Sequence, residues 1–488
     1  MSSLHVLAFD LGASCGRSML AAYDGQRMRL QEINRFPHTF SILGDQAYWD
    51  VLYLMDHIRE GLRKCDAPLK SIGVDTWGVD FGLLDKNGQL LAMPRSYRDE
   101  AFSDTNMTEA LEFLGGAAWL FEQTGIANIN YNSVFKLYHM KKTNEVLDTA
   151  ETFLMMPNLI EYFLSGVKHN EYSVVSTSQL YDMEHRDWAR PVLEKLGLPL
   201  NWFTPVDRAG AALGPLSPRV ARETGKEKIQ VISTAGHDTA CAAAAVPAKG
   251  DEYTFLSSGT WSLLGIASRK MLKGEAVAQS GISNEGAWDG GYRPTVNISG
   301  LWILQECRRQ WANEGYDYSF DELQQMAGQA PVLRSFIRPE DFEKKGDYPG
   351  MIRSFCRETG QSVPETHGEI TRCVYESLAM KYRQVYRNFR PYITWQDCMY
   401  VVGGGARDTL LNQFTADALG FQVVTGPTEA TSVGNILVQL EAMGEVKGHD
   451  QRREVIADSF EEHTFAPKDH VAWQEAYERF ERMYEDMP

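Results

Sequence analysis

The chain is short of cysteine, of long apolar runs and of positive charge, and each shortage excludes a class of protein. Its seven cysteines, at 15, 65, 241, 307, 356, 373 and 398, are odd in number and contain no CxxC pair. A secreted disulfide framework or a zinc site needs more of them at closer spacing. Reduced thiols are therefore expected, and Cys356 and Cys373, the nearest pair in sequence, read as two buried free thiols. No uninterrupted apolar run approaches the roughly 18 to 20 residues of a membrane span, and the N-terminus lacks a basic stretch followed by an apolar core and a cleavage site. A cytoplasmic protein without a membrane partner is expected. The 48 Lys and Arg are outnumbered by 65 Asp and Glu, a net charge of −17. That field repels phosphate backbones and anionic lipid, and no local basic patch offsets it, so nucleic acid is not an expected partner. A GxxxxGK[ST] loop and an HExxH helix are also missing, and Gly403 to Gly405 lacks the third glycine of a dinucleotide fingerprint.

What is there is an ordinary globular balance, 43% apolar and 23% charged over 488 residues. That is chain enough for roughly two to four domains with cores that need no staples. Leu4 to Gly12 is an apolar run closed by glycine, followed by the small residues Ala13 to Gly16, Arg17, and a second apolar run from Ser18 to Tyr23. This predicts two strands joined by a small-residue turn, with a third strand around Arg29 to Phe36 after Asp24-Gly25. Asp50 to Lys64 has helical spacing, and Ser71 to Asp75 and Phe81 to Leu84 return to strand, an alternation that indicates α/β architecture. Tyr253 to Gly265 repeats the opening pattern, and aligning Gly12 with Gly259 predicts an internal duplication. The Ala-rich stretch from Ala240 to Gly250 separates the halves, with the boundary placed at about residue 248: one domain over 1–247 and a second over 248–488. The second half is expected to hold a helix over Ile298 to Asn313, a long helix over Ile370 to Phe389, a strand from Cys398 to Val402 and a helix from Asp408 to Leu419. The stretch from Asp469 to Pro488 reads as an amphipathic helix packing back on a domain.

Two protein-kinase signatures, HRD at His185 to Asp187 and DFG at Asp80 to Gly82, occur in reversed order. Val192 stands where the catalytic-loop Asn belongs, so both are chance tripeptides. The turn from Asp10 to Arg17 carries more chemistry. A carboxylate at the end of a buried strand, followed by small residues, lets backbone N–H groups face a phosphate while Asp10 holds a hydrated Mg²⁺ and Arg17 adds positive charge. An ordinary hairpin with an exposed Asp fits the same letters. The turn from Ser257 to Ser262 offers hydroxyls and N–H groups without the carboxylate. Val231 to Thr239 is an apolar run ending in Gly236-His237-Asp238, where active residues commonly sit at the carboxyl end of a sheet. An Asp there can accept a proton from an attacking hydroxyl, and His237 either binds substrate or caps the turn. Trp77 either presents its face to a sugar ring or sits in the core.

Taken in order, Asp10-Leu-Gly-Ala-Ser-Cys-Gly-Arg17, Gly236-His-Asp-Thr239, Leu256-Ser-Ser-Gly-Thr-Trp-Ser262 and Val402-Gly-Gly-Gly405 resemble the FGGY carbohydrate kinases of the actin, Hsp70 and sugar kinase superfamily. The likeness runs from about residue 4 to 440. Within the family, Asp75 to Phe81, Ser96 to Asp99, Asn297 to Trp302 and Gly403 to Gln413 are similar to the branch acting on L-rhamnulose. The resemblance implies two ribonuclease-H-like domains, each a mixed five-stranded sheet flanked by helices, with ATP and a ketose in the cleft between them. It implies ATP-dependent phosphorylation of L-rhamnulose at its C1 hydroxyl, in a monomer or homodimer. Other ketoses of the family (L-fuculose, L-ribulose, D-xylulose) stay open, as does an actin-like or Hsp70-like ATPase with a protein partner. Carried over by motif, Asp238 is the catalytic base. Gly78, His237, Asp238 and Thr239 border the sugar, within a wall formed by Thr76 to Phe81, Tyr97 to Asp99 and Asn132. Ala13, Ser14, Cys15, Gly16 and Arg17 border the phosphates, Thr260, Asn297, Gln305 and Gly404 complete the ATP site, and Asp10 holds Mg²⁺. The chain departs from the family at Ala13 and Cys15, where a small hydroxyl residue is usual, which shifts phosphate contacts there to backbone N–H groups.

Overall fold

The structure is a computed structural model that describes residues 3–342, 346–394 and 398–486. The opening hairpin forms, with its second strand starting three residues earlier than the sequence predicts: strands β1 (Leu4–Leu11) and β2 (Cys15–Tyr23) pair antiparallel, so that Cys15, Gly16 and Arg17 are strand residues, and β2 continues into β3 (Met28–Pro37). The small-residue turn is residues 12–14. Strand β4 (Leu69–Thr76) runs parallel to β1 on its other side, followed outward by β6 (Gln230–Ser233) and the antiparallel edge strand β5 (Ala211–Pro215). The resulting order is β5-β6-β4-β1-β2-β3. The five-stranded mixed core is present and is widened by β5.

Strand β1 is buried on both faces, and its period-2 alternation assigns each residue a side. Leu7, Phe9 and Leu11 pack with helix α1 (Val51–Lys64), while Val6 and Ala8 face the opposite layer. Helix α1 starts where expected because the Asp50 side chain accepts the Tyr53 N–H at 2.9 Å, and it ends on Arg63 and Lys64, which suit the negative end of its dipole.

The second half repeats the plan. Strands β7 (Thr254–Ser258) and β8 (Trp261–Ile266) form the matching hairpin. Strand β8 pairs with β10 (Tyr292–Ser299), whose outer neighbour is β9 (Ser283–Gly286). On the other side β7 lies parallel to β11 (Cys398–Val402), then β12 (Gln422–Thr425) and the edge strand β13 (His463–Phe465). This sheet has seven strands, the expected five plus the two edges β9 and β13.

The helix expected over Ile298 to Asn313 begins later, as α3 (Trp302–Asn313). Ser299 is still paired with Trp261 in the sheet, and Gly300 packs so tightly that a Cβ would lie 2.8 Å from the Ser262 nitrogen and 2.9 Å from the Gly259 oxygen. The long helix α4 (His367–Phe389) carries a Thr366/Glu369 capping box. Helix α5 (Thr409–Leu419) is capped by Asp408. The C-terminal helix α7 (His470–Asp486) buries Trp473, Tyr477 and Phe480 in the second-half core; Met487 and Pro488 lie outside the described residues. Cys356 and Cys373 are buried free thiols.

The two halves meet through helices. Helix α2 (Asp238–Ala244) packs along α6 (Ala430–Ala442), and their apolar residues share one core with Val6 and Ala8 of β1 and Phe255 of β7. Helix α6 comes from the second half of the chain yet lies against β1 and β4 of the first.

Beneath the first sheet, His169 is buried with its Nε2 2.8 Å from Glu161 and its Nδ1 3.6 Å from Asp207. Burial works against its charge, but the two carboxylates outweigh it and the pKa is pushed up to about 9. A folded pKa above the unfolded value of about 6.5 gives stability that is complete below pH ~6.5 and lost as pH rises through about 9. Removing the ring in His169→Gln should therefore lower Tm at pH 6 and cost progressively less toward pH 9.5. A Tm difference that stays constant across that range would contradict the assignment.

Candidate active site

Three parallel strands, β1, β4 and β6, end side by side, and their carboxyl ends carry the charged residues. Asp10 and Asp75 are register partners on β1 and β4, and a further bridge sets Thr76 beside His237 just after β6. Ligands in open α/β sheets bind at such carboxyl ends. Asp10 is buried, not exposed as in an ordinary hairpin. Its Oδ2 accepts from Arg17 Nη2 at 2.6 Å, from Arg17 Nε at 2.9 Å and from Ser432 Oγ at 3.2 Å. Arg17 also pairs with Glu429. Burial disfavours the guanidinium charge, but Asp10 and Glu429 more than offset it, so Arg17 stays firmly protonated.

The rest of the turn divides by role. Ala13 faces the central cavity, and Ser14 is exposed with its carbonyl accepting the His38 N–H at 3.3 Å. Cys15 turns its sulfur to Arg35, 3.7 Å away. Gly16 is required by packing, since a Cβ there would lie 2.2 Å from the Phe36 ring.

At the end of β6 the chain turns sharply into α2, with His237 at the N-cap and Asp238 as the first helical residue. Asp238 Oδ1 accepts from the Thr239 N–H at 2.6 Å and its hydroxyl at 3.1 Å, and lies 3.4 Å from His237 Nε2. Desolvation, reinforced by the Asp10 charge, raises the Asp238 pKa against the opposing pull of His237 and the Thr239 hydrogen bonds. Asp75, fully buried, is raised well above the usual carboxylate value by desolvation and then by Asp10, although Asn435 Nδ2 donates to it at 2.6 Å.

The second sheet presents its own pair of turns at the carboxyl ends of β7 and β11. Trp302 N–H donates to the Thr260 carbonyl at 3.0 Å, and the Thr260 hydroxyl is 3.4–3.5 Å from the Gln305 amide on α3. Gly403 has φ +85°, and Gly405 leaves no room for a Cβ because Ser258 Oγ would stand 2.1 Å from it. Gly404 between them is exposed and faces open space. A non-Gly residue would be strained at 403 and excluded at 405, so backbone conformation and the close approach of the two turns explain these two glycines.

Both halves of the chain contribute to one cavity. A cavity of about 180 Å³ is lined by Ala13, Gly78, His237, Asp238 and Thr239 from the first half and by Trp261, Glu285 and Asn297 from the second. Trp77, Val79, Tyr97 and Asn132 of the expected sugar wall also line it. Asp80 and Asp99 lie behind that wall: Asp80 is buried against Lys136, and Asp99 accepts from Arg95 and the Ala47 N–H. Asn297 lines this cavity and donates to Tyr131 Oη at 3.0 Å, whereas Gln305 meets Thr260 and Gly404 lies in the glycine run after β11. Trp77 is buried yet reaches the cavity: its indole N–H donates to Asp80 at 2.7 Å and its ring lies 4.0 Å from that of Trp49. The HRD tripeptide lies at a two-stranded hairpin where Arg186 covers Tyr172 and Tyr292, and the DFG aspartate belongs to the Lys136 pair.

Four lining or supporting residues had no legible motif: Glu285, Arg293, Thr177 and Glu429. Thr177 Oγ1 accepts the Val79 N–H at 2.8 Å and holds Val79 at φ +65°, a conformation costly for a β-branched residue. Thr177→Val should strand that N–H, costing about 1–3 kcal/mol, and raise the KM of the cavity's ligand more than that of a nucleotide. Unchanged Tm and KM would show that the hydroxyl does not hold the wall.

The sequence matches the model of the FGGY family of carbohydrate kinases in both its N-terminal domain, over residues 5–245, and its C-terminal domain, over residues 254–443. The chain belongs to the FGGY family of carbohydrate kinases. Kinases of this family use ATP. This FGGY kinase is 39% identical over 480 residues to a rhamnulokinase of Bacteroides thetaiotaomicron, covering 97% of this chain and 98% of that one. It is 35% identical over 468 residues to a rhamnulokinase of Ligilactobacillus salivarius, with 95% of each covered. Its fold is that of a gluconate kinase from Lactobacillus acidophilus, with a TM-score of 0.80 at 14% identity over 100% of this chain and 98% of that one. Among the described residues, no helix is long and apolar enough to cross a membrane.

Proposed function

We propose that this FGGY kinase transfers the γ-phosphoryl group of ATP to the C1 hydroxyl of L-rhamnulose, giving L-rhamnulose 1-phosphate and ADP. The observation that carries the reading is the placement of Asp238, a carboxylate of raised basicity at the wall of a cavity that both halves of the chain line. Asp238 takes the proton of the C1 hydroxyl as that oxygen attacks phosphorus in line. The cavity suits a deoxy ketose: Val79, Ile126, Ile129 and Leu263 supply an apolar side for a methyl group, and Asn132, Thr177 and Ser283 supply hydrogen-bonding partners for hydroxyls. Gly78 lets the wall approach closely, since a Cβ there would lie 2.9 Å from Thr177 Oγ1. Thr239 orients Asp238, and His237 binds a sugar hydroxyl beside it.

On the nucleotide side, the turn at Ala13 and Ser14, with Cys15, Gly16 and Arg17 at the start of β2, borders the phosphates from the first half. Thr260, Gln305 and Gly404 face them from the second, and Asn297 borders both ligands. Placing N–H donors and a fixed cation where charge spreads in the transition state is the main source of catalysis in phosphoryl transfer. Among the described residues no group of three or more carboxylates, His or Cys forms a metal cage. Mg²⁺ that arrives on ATP needs only one or two carboxylates besides the phosphates, and Asp10 fits that need. Bound there, Mg²⁺ would neutralise phosphate charge.

Coupled ADP release with L-rhamnulose, L-fuculose, L-ribulose and D-xylulose tests the reading. The highest kcat/KM is expected with L-rhamnulose. A single methyl pocket discriminates by only about 1–3 kcal/mol, so secondary activity on related ketoses is expected. A higher kcat/KM for another ketose would reassign the substrate, and ADP release independent of any sugar would make the protein an ATPase.

A further inference from the structure

We infer that Arg293, reaching across from the second half, fixes the tautomer of His237 and thereby makes it a hydrogen-bond donor to the Asp238 corner. Arg293 and Glu285 face each other across β9 and β10 at the edge of the second sheet. This edge is tied to the first half by the Gly286 N–H donating to Ser176 Oγ at 2.8 Å and the Asn284 N–H donating to the Gly125 carbonyl at 3.1 Å. Arg293 is 1% exposed. Its Nη2 contacts two groups, an ion pair with Glu285 and a hydrogen bond to His237 Nδ1 at 2.9 Å. Its Nε and Nη1 have no protein partner among the described residues. Burying a guanidinium with two nitrogens unpaired is costly, and a simple ion pair with Glu285 does not require it. The hydrogen bond to His237 gives the burial a purpose.

The chemistry of the two groups sets the proton. A guanidinium has donors only and cannot be deprotonated, so the nitrogen it meets must accept. His237 Nδ1 then carries the lone pair, and the proton of the neutral ring sits on Nε2. Nε2 is the atom 3.4 Å from Asp238 Oδ1, on the cavity wall. His237 therefore presents an N–H on the Asp238 side of the cavity, to an oxygen arriving there, and cannot compete with Asp238 as a base. Glu285 Oε2 lies 3.2 Å from the same Nδ1 and would stabilise the opposite tautomer if Arg293 were absent. Arg293 is thus a positioning residue acting through His237. Its effect on turnover rests on Asp238 being the base, whereas the tautomer itself does not.

The test is long-range ¹H–¹⁵N correlation of the full-length protein labelled with ¹⁵N-histidine, with the His237 signals assigned by their loss in His237→Gln. The wild type is expected to show Nε2 protonated and Nδ1 bare, and Arg293→Met to shift the population toward Nδ1–H. In steady-state kinetics, Arg293→Met should lower kcat on the order of 10- to 100-fold, the scale of a misoriented catalytic group, with little change in the KM for ATP. Arg293→Lys keeps a donor and should recover part of that loss. A wild-type spectrum with Nδ1 protonated, or equal losses in the Lys and Met variants, overturns the inference. Should Arg293→Met not fold, the wild-type spectrum still decides. If Asp238→Asn kept full turnover while the wild-type tautomer were as stated, the kinase reading would fail and the tautomer assignment would stand.

Discussion

Replacing Asp238 by Asn is expected to lower kcat for ketose phosphorylation by roughly 10²- to 10⁴-fold, the usual contribution of a positioned general base. The amide keeps the size of the side chain, and its oxygen can still accept from Thr239 as Oδ1 does at 2.6 Å, so fold and ATP binding should persist. The profile of kcat/KM against pH gives a second readout. Desolvation and the neighbouring Asp10 raise the Asp238 pKa, so activity should decline in acid above the ordinary aspartate value of about 3.9. That acid limb should vanish from the residual activity of the variant. Near-wild-type turnover by Asp238→Asn would remove the base from the mechanism.

The largest expected loss of stability comes from Lys136→Met. Lys136 and Asp80 form an ion pair in which the side chains are 1% and 0% exposed. Burial pulls the Lys136 pKa down and Asp80 pushes back. Asp80 also accepts from the Trp49 indole at 2.5 Å, the Trp77 indole at 2.7 Å and the Tyr97 N–H at 3.3 Å, so one carboxylate ties four segments together behind the cavity wall. Deleting the ammonium leaves a buried charge with neutral donors only, which costs about 3–5 kcal/mol. For a domain of this size the Tm should fall by roughly 10 °C. Lys136→Met combined with Asp80→Asn should be more stable than Lys136→Met alone, because no uncompensated charge remains. A double variant no more stable than the single one would mean that packing, not charge, holds this site. Because Val79 adjoins Asp80, the single variant should also raise the KM for ketose.

The sequence was most legible where a local rule suffices. Asp50 and Asp408 cap helices at the predicted starts because capping is decided within four residues. The duplicated hairpins were readable because strand, small-residue turn and strand is a short-range pattern. The helix start at Trp302 was missed because pairing of Ser299 with Trp261, a contact distant in sequence, overrides local helical spacing. Edge strands β5, β9 and β13 were likewise unpredicted, since short edge strands owe their extension to a neighbour already in place.

Residue order along the chain carries the set of chemical groups: a carboxylate at the end of β1, a Gly-His-Asp corner after β6, and a glycine run after β11. The tertiary structure alone decided which distant residues serve them. Glu429, Ser432, Asn435 and Gln439 form a polar row at helical spacing, and such a row normally faces water. Here it is turned inward, so that Glu429 meets Arg17, Ser432 meets Asp10, Asn435 meets Asp75 and Gln439 meets Ser71. Arg293 meets His237 across 56 positions in the same way. Periodicity reports that a helix has a face, but the partner of that face is fixed by how two sheets pack, through contacts that no local pattern encodes.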